Sequence, residues 1–243
     1  MMLKRMDNIA YFRGLYDKAH HEISKRECAE LLKRTAEEMA LVLQNERAVY
    51  GWSGGKDSVV LQHLMGMVGK YVGVCVSTQL EYPCVDAFIS LNKPPRTEVI
   101  RTPHDLNWLI RNPRMLMPTD SRTKSEWYRI VQHHYTDAFA KRVGATMLVF
   151  GRRTEDGNVM RAKLYSVEGK PRRYNPLKDF THVQIWGILR HFDLPEYPLY
   201  ARHASSLVTG TGAWAQEPSW DIVKATDPAL YARVRRFFPY VAA

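Results

Sequence analysis

Apolar residues recur at helical spacing near the start of the chain: Tyr11, Leu15 and Ala19, then Cys28, Leu31, Leu32, Ala36, Met39 and Leu43. The spacing predicts helices from Ile9 to about Leu43, the second opened by a capping box of Ser24 and Glu27. From Ala48 the pattern changes. Short runs apolar on both faces, Ala48–Trp52, Tyr71–Thr78, Thr97–Arg101 and Ala145–Phe150, read as buried parallel strands. Helical stretches lie between them, after Ser58, from Val85 to Leu91, from Asp105 to Leu109 and from Ser125 to Val143, with Gly144 as terminator. Residues Arg111–Thr123, carrying Pro113 and Pro118, read as a basic loop able to close over a ligand. Glu168-Gly169-Lys170 suits a hairpin turn, and Thr181 suits the cap of a helix with Ile185, Trp186, Ile188 and Leu189 on one face. A last capped helix follows Asp227. Strands alternating with helices predict an α/β fold with a doubly wound, mainly parallel sheet. The expected division is a helical extension at 1–45, the α/β domain at 46–200 and a helical segment packed on it at 201–243.

The first strand leads into Ser53-Gly54-Gly55-Lys56-Asp57-Ser58 and then an apolar helix. Two adjacent glycines permit a sharp bend and close approach to a ligand. The N–H groups opening the next helix point at one spot, where the helix dipole favours an anion. Lys56 adds a positive charge, and Ser53 and Ser58 add hydroxyl donors. Ordinary turn and cap chemistry would use the same residue types. A Walker A loop does not fit: Gly51 and Gly55 are one residue too close, and Asp57 follows the lysine.

Composition narrows the class. The 243 residues are 45% hydrophobic and 11% aromatic, enough for a packed core. No long uncharged apolar run is present, and no membrane partner is expected. Three cysteines, an odd number, with no apolar leader at the N-terminus, point to a reducing cytoplasm. Cys28 falls among apolar positions and reads as core. Too few thiols are present for an iron–sulfur cluster, and the adjacent pairs His20-His21 and His133-His134 lack zinc spacing. The net charge of +10, from 35 Lys and Arg against 25 Asp and Glu, draws polyanions. The stretch Val159–Tyr174 concentrates Arg161, Lys163, Lys170, Arg172 and Arg173 with Tyr165 and Tyr174. It reads equally as an exposed hairpin or as an arm with cations for phosphates and tyrosines for bases.

A family resemblance runs from about Ala48 to Tyr200. Ser53–Ser58 after a strand resembles the pyrophosphate loop (PP-loop) of the ATP pyrophosphatases, in the branch similar to phosphoadenosine phosphosulfate (PAPS) reductases. Leu80-Glu81-Tyr82-Pro83 is similar to that family's second strand end, where Ser77 or Thr78 stands in place of its usual Asp. Gly151-Arg152-Arg153-Thr154-Glu155-Asp156-Gly157 resembles its second nucleotide loop, with Arg153 as the motif arginine and Arg161 a further candidate. Asn175-Pro176-Leu177-Lys178-Asp179-Phe180-Thr181 and Leu194-Pro195-Glu196-Tyr197-Pro198-Leu199-Tyr200 match a longer stretch, with Pro176, Leu177 and Asp179 near the ligand.

The resemblance implies an adenine nucleotide α-hydrolase-like fold binding ATP with Mg²⁺, or a sulfonucleotide such as PAPS. It assigns Lys56, Asp57 and Arg153 to catalysis, and Asp57 to Mg²⁺. Nucleotide contacts would come from Ser53, Gly54, Gly55, Lys56, Asp57, Ser58, Ser77, Thr78, Leu80, Glu81, Gly151, Arg153 and Arg161. Sulfonucleotide reductases use a cysteine in a C-terminal segment. Here the last cysteine is Cys84, and Thr211–Pro218, which resembles the cluster-binding stretch of related proteins, holds none. The expected activity is therefore ATP pyrophosphatase-type: attack at the α-phosphate, adenylation of an acceptor and release of pyrophosphate. The acceptor would be a nucleic acid or a protein, and a homo-oligomer is expected. One alternative is a non-catalytic nucleotide- and nucleic-acid-binding regulator. A weaker one is sulfonucleotide reduction with a partner's thiol.

Overall fold

The computed structural model describes residues 5–70, 72–79, 81, 83–116, 120–156, 162–197, 200, 224–225 and 227–239. Strand β1 (Ala48–Gly51) lies between β2 (Gly73–Ser77) and β4 (Met147–Val149), parallel to both. Beyond β2 lies β3 (Thr97–Arg101), and beyond β4 lies β6 (Arg172–Tyr174), again parallel. The two-residue β5 (Leu164–Tyr165) closes that edge antiparallel, and the sheet order is β3-β2-β1-β4-β6-β5. Leu164 and Tyr165 pair with Tyr174 and Arg173, so the expected hairpin forms, with Gly169 at φ +67° in its turn.

The chain progresses outward from β1 to β3, then returns to the other side of β1 for β4. Strand order reverses between β1 and β4, the place where open α/β sheets bind ligands. The register Ala48 to Met147 and Tyr50 to Val149 sets these strands level, so their C-terminal loops start side by side.

Helices α1 (Arg5–Glu22), α2 (Lys25–Leu43), α3 (Lys56–Met67) and α8 (His182–His191) contribute to one large core. Ser24 and Glu27 form the expected capping box on α2, and Thr181 and Gln184 form another on α8. The N-terminal helices are part of the main core: Leu15, Ala19, Cys28, Leu32, Met39 and Leu43 share one buried cluster with Trp52, Leu64 and Trp186. Gly187 makes this contact close, since a Cβ there would lie 2.3 Å from Ile23 Cγ2. Helices α4 (Pro83–Asn92) and α5 (Leu106–Arg111) also feed this core.

Helix α6 (Ser121–Tyr128) begins earlier than apolar spacing suggests, because Asp120 caps it by accepting the Thr123 N–H at 2.8 Å. A π-helical turn, Arg129–His133, joins α6 to α7 (His134–Arg142). The α7 side of the sheet carries a smaller core of Val49, Val74, Phe139, Ala140 and Leu148. Helix α9 (Pro228–Phe237), capped by Asp227, adds Val234 to the main core. Among the described residues, no helix is long and apolar enough to cross a membrane.

Candidate nucleotide site at the sheet's switch point

The loop after β1 is held from within and from above. Gly54 has φ +75°, and a Cβ there would stand 2.9 Å from Tyr197 ring atoms, so both backbone and space require glycine. Ser58 Oγ donates to the Gly55 carbonyl at 2.8 Å and accepts the Ser53 N–H at 3.1 Å. Ser58 thus shapes the loop, while Ser53 is exposed on it. Tyr197 donates its hydroxyl to the Ser53 carbonyl. Tyr200 Oη accepts the Lys56 N–H at 3.1 Å, taking one of the orphan donors of the α3 N-terminus. Burial pushes both phenols up, so both keep their protons. The N–H groups of Asp57 and Ser58 open the helix without intrahelical acceptors.

The loop after β4 comes into contact with the first. A Cβ on Gly151 would sit 3.0 Å from the Asp57 carbonyl oxygen. This proximity assembles a charged cluster. Lys56 Nζ lies 2.6 Å from Asp57 Oδ2 and 3.9 Å from Asp156 Oδ1. Arg153 Nε donates to Asp57 Oδ1 at 2.7 Å, and Nη2 donates to Asp156 Oδ1 at 2.6 Å. Its Nη1 reaches the Phe180 carbonyl at 3.1 Å and Glu155 at 3.3 Å.

Arg153 is therefore fully buried, and its guanidinium spans acids of both loops and the chain entering α8. The phosphate-facing fork expected from sequence is directed inward, because three carboxylates lie within its reach. Arg153 Nη2 also lies 3.0 Å from His182 Nδ1. Arginine only donates, so Nδ1 accepts and the ring proton sits on Nε2. Burial, then the Arg153 and Lys56 charges, pull the His182 pKa down to about 3, so the ring is neutral.

The two aspartates diverge. Burial raises the Asp57 pKa, but Lys56 and Arg153 together outweigh it, and the carboxyl is held below its ordinary range. Burial and the neighbouring Asp57 charge push Asp156 up, with Lys56 and Arg153 opposing.

Other expected residues are placed as follows. Ser77 and Thr78 are buried at the end of β2, where Ser77 Oγ accepts from Arg101 at 2.8 Å. Buried Glu81 turns back to Thr78, accepting its N–H at 3.4 Å. Leu80 and Arg161 lie outside the described residues. The structure brings together Ser53–Ser58, Gly151 and Arg153. It adds Asp156, His182, Tyr197 and Tyr200, whose roles sequence reasoning missed. The signal for His182 was its place directly after the Thr181 cap.

The basic excursion needs correction. Lys163 pairs with Glu38, Arg172 with Glu46, and both Lys170 and Arg173 with Asp137. Tyr174 is buried and donates to Glu38 at 3.0 Å, so its ring is not available to a base. These acids come from elements distant in sequence, which local composition does not reveal.

Lys56, Asp57 and Asp156 border one groove of about 2100 Å³, whose walls include the α6–α7 segment and the β5–β6 hairpin. Paired loops at a switch point, with a lysine between two carboxylates, suit binding and reaction of a phosphate chain. The phosphoadenosine phosphosulfate reductase domain family matches residues 47–216. Adenosine 5'-phosphosulfate reductase of Burkholderia cepacia is 41% identical over 63 residues, which are 24% of this chain and 25% of that protein. The chain thus matches about a quarter of that relative's length. The PAPS reductase of Candida auris, solved as a phosphate complex, aligns with TM-score 0.53 and 13% identity, over 73% of this chain and 91% of that one. The U34-tRNA thiolase of Methanococcus maripaludis, solved with its [4Fe-4S] cluster, aligns with TM-score 0.51 and 12% identity, over 90% and 81%. These two likenesses share the fold, and the domain match spans well over half of the chain: it belongs to the phosphoadenosine phosphosulfate reductase domain family.

Proposed function

We propose that this chain binds ATP with Mg²⁺ at the β1–β4 switch point and acts at the α-phosphate, adenylating an acceptor oxygen and releasing pyrophosphate. The observation that carries the reading is Lys56 set between Asp57 and Asp156 where the two loops meet. Phosphates would lie on Ser53–Lys56 and the free N–H groups of Asp57 and Ser58. Lys56 would exchange its carboxylate partners for phosphate oxygens and counter charge on the departing pyrophosphate. Magnesium bound through phosphates needs only one or two protein carboxylates, and Asp57 and Asp156 supply two at the groove. Bound there, it would neutralise phosphate charge. Arg153 then positions both acids, with no donor directed at substrate. Glu81 and the β2 end would border the adenosine.

The family favours a sulfonucleotide as the second reading. Two of the three thiols are placed against self-contained reduction: Cys28 and Cys75 are buried, and burial pushes them up to about 11 and about 12, while Cys84 is half-buried. Calorimetric titration with ATP–Mg²⁺, adenosine phosphosulfate and PAPS, followed by chromatography of the ATP mixture, tests the proposal. ATP binding with appearance of AMP and pyrophosphate is expected. Lys56→Ala should weaken binding about tenfold or more. Sulfonucleotide preference with ATP left intact would overturn it.

A further inference from the structure

Parallel sheets are ordinarily covered by helices on both faces. Here Phe139 and Ala140 of α7 pack on Val49, Val74 and Leu148 of β1, β2 and β4, and the groove opens beside them, lined by Phe150 just after β4 and by Arg172 and Arg173 of β6. The groove continues far beyond the phosphate loop. Its lining includes both Lys56, at the start of α3, and Arg47, just before β1. Four strand residues between them span about 13 Å at roughly 3.3 Å each. Its volume of about 2100 Å³ is at least twice the ~1,000 Å³ upper range of small-molecule pockets. A nucleotide at the Lys56 end leaves most of it open.

The lining mixes cations with aromatic rings. The Arg152 and Arg173 guanidiniums lie over the Phe150 ring at 5.4 and 5.6 Å. Eight Lys and Arg border the groove against three Asp. Several of those cations are neutralised, but Arg152 has no carboxylate partner among the described residues. Its Nη2 meets His133 Nε2 at 2.8 Å, in the π-turn, and the ring must accept there. Burial, then Arg152 and Arg173, keep His133 neutral. Lys141 is exposed and unpaired among the described residues, and Arg129 is 71% exposed, only 4.0 Å from Glu126. Tyr165, 38% exposed, faces the same space from the hairpin.

We infer that this groove is the acceptor site of the proposed reaction, and that its occupant is a single-stranded nucleic acid. Arg129, Lys141 and Arg152 contact its phosphates, and Tyr165 stacks on a base. Cations along a track with exposed aromatic rings are what an unpaired strand requires, since every base offers a π-face. The inference rests on the nucleotide reading for the word acceptor, and on the groove alone for the strand.

The test is fluorescence anisotropy of the full chain with labelled oligo-dT and oligo-U, which separate DNA from RNA as the source. Three phosphate contacts on a single strand give about a 20-fold loss of affinity between ~50 and ~200 mM salt. Arg129→Gln/Lys141→Gln/Arg152→Gln together should reduce the logarithmic salt slope by about 2. Arg129→Gln/Lys141→Gln alone, at the two exposed cations outside the nucleotide loops, should lower the slope by about 1.4 with ATP–Mg²⁺ affinity and the unfolding transition unchanged. Tyr165→Ser should weaken the strand about fivefold or more with its salt slope intact. No binding at ~50 mM salt, an unchanged triple variant, or equal displacement of the strand by polyglutamate overturns the inference. A chain that binds ATP–Mg²⁺ and ignores both strands overturns the groove assignment alone. One that binds a strand and ignores ATP overturns the nucleotide reading alone.

Discussion

Arg153 distributes its donors over Asp57, Glu155, Asp156, the Phe180 carbonyl and His182. Arg153 is buried but its carboxylate partners are partly exposed, so removing it costs less than the about 3–5 kcal/mol of breaking a fully buried pair. Arg153→Met should still lower the urea midpoint, and ATP affinity should fall with the fold. A variant that unfolds like the parent and loses only nucleotide affinity would restore the direct phosphate role expected from sequence. His182 gives a pH prediction. Its folded pKa of about 3 lies below the ordinary 6.5, so between those values the unfolded chain binds more protons. Stability should fall as pH drops from about 6.5 towards 3, while Asp156, shifted upward, partly offsets the loss. His182→Asn, which keeps an acceptor for Arg153, should flatten that slope in pH-dependent melts. A slope identical to the parent's would sink the assignment.

Elements connect the site to the core. Helix α8 starts at the charged cluster and buries Ile185, Trp186, Gly187, Ile188 and Leu189 against the main core. Its capping box fixes where the first turn begins and so where His182 stands. Thr181→Ala should cost about 1 kcal/mol, measured by urea unfolding. ATP affinity should also fall, because His182 and Glu155 lose their register. A stability loss with unchanged affinity would show that α8 does not position the site. This helix and its cap were legible, since capping boxes and helical spacing act over three or four residues. The hairpin's partners were not. Its cations find Glu38, Glu46 and Asp137 only after α2, the residues just after it and α7 are packed alongside.

At the scale of the whole molecule, the N-terminal helices are packed into the main core. Residues 1–45 read as an extension, yet Cys28, Leu32, Met39 and Leu43 sit in the same core as Trp52 and Trp186. A chain lacking residues 1–45 should show no cooperative thermal transition. A truncated chain melting at the parent's temperature would establish the extension as dispensable. Local information along the chain was sufficient for the strand–helix alternation, the Gly54-Gly55 turn, the caps at Ser24, Thr181 and Asp227, and the family to which they belong. Backbone geometry and hydrophobic periodicity are properties of neighbouring residues, so they survive reading in one dimension. Tertiary structure decided the inward turn of Arg153, the neutral His182, the Tyr197 and Tyr200 clasp on the phosphate loop, and the groove beyond it. Each depends on which charges and surfaces meet across the sheet, and Coulombic pairing and burial are set by distance in space.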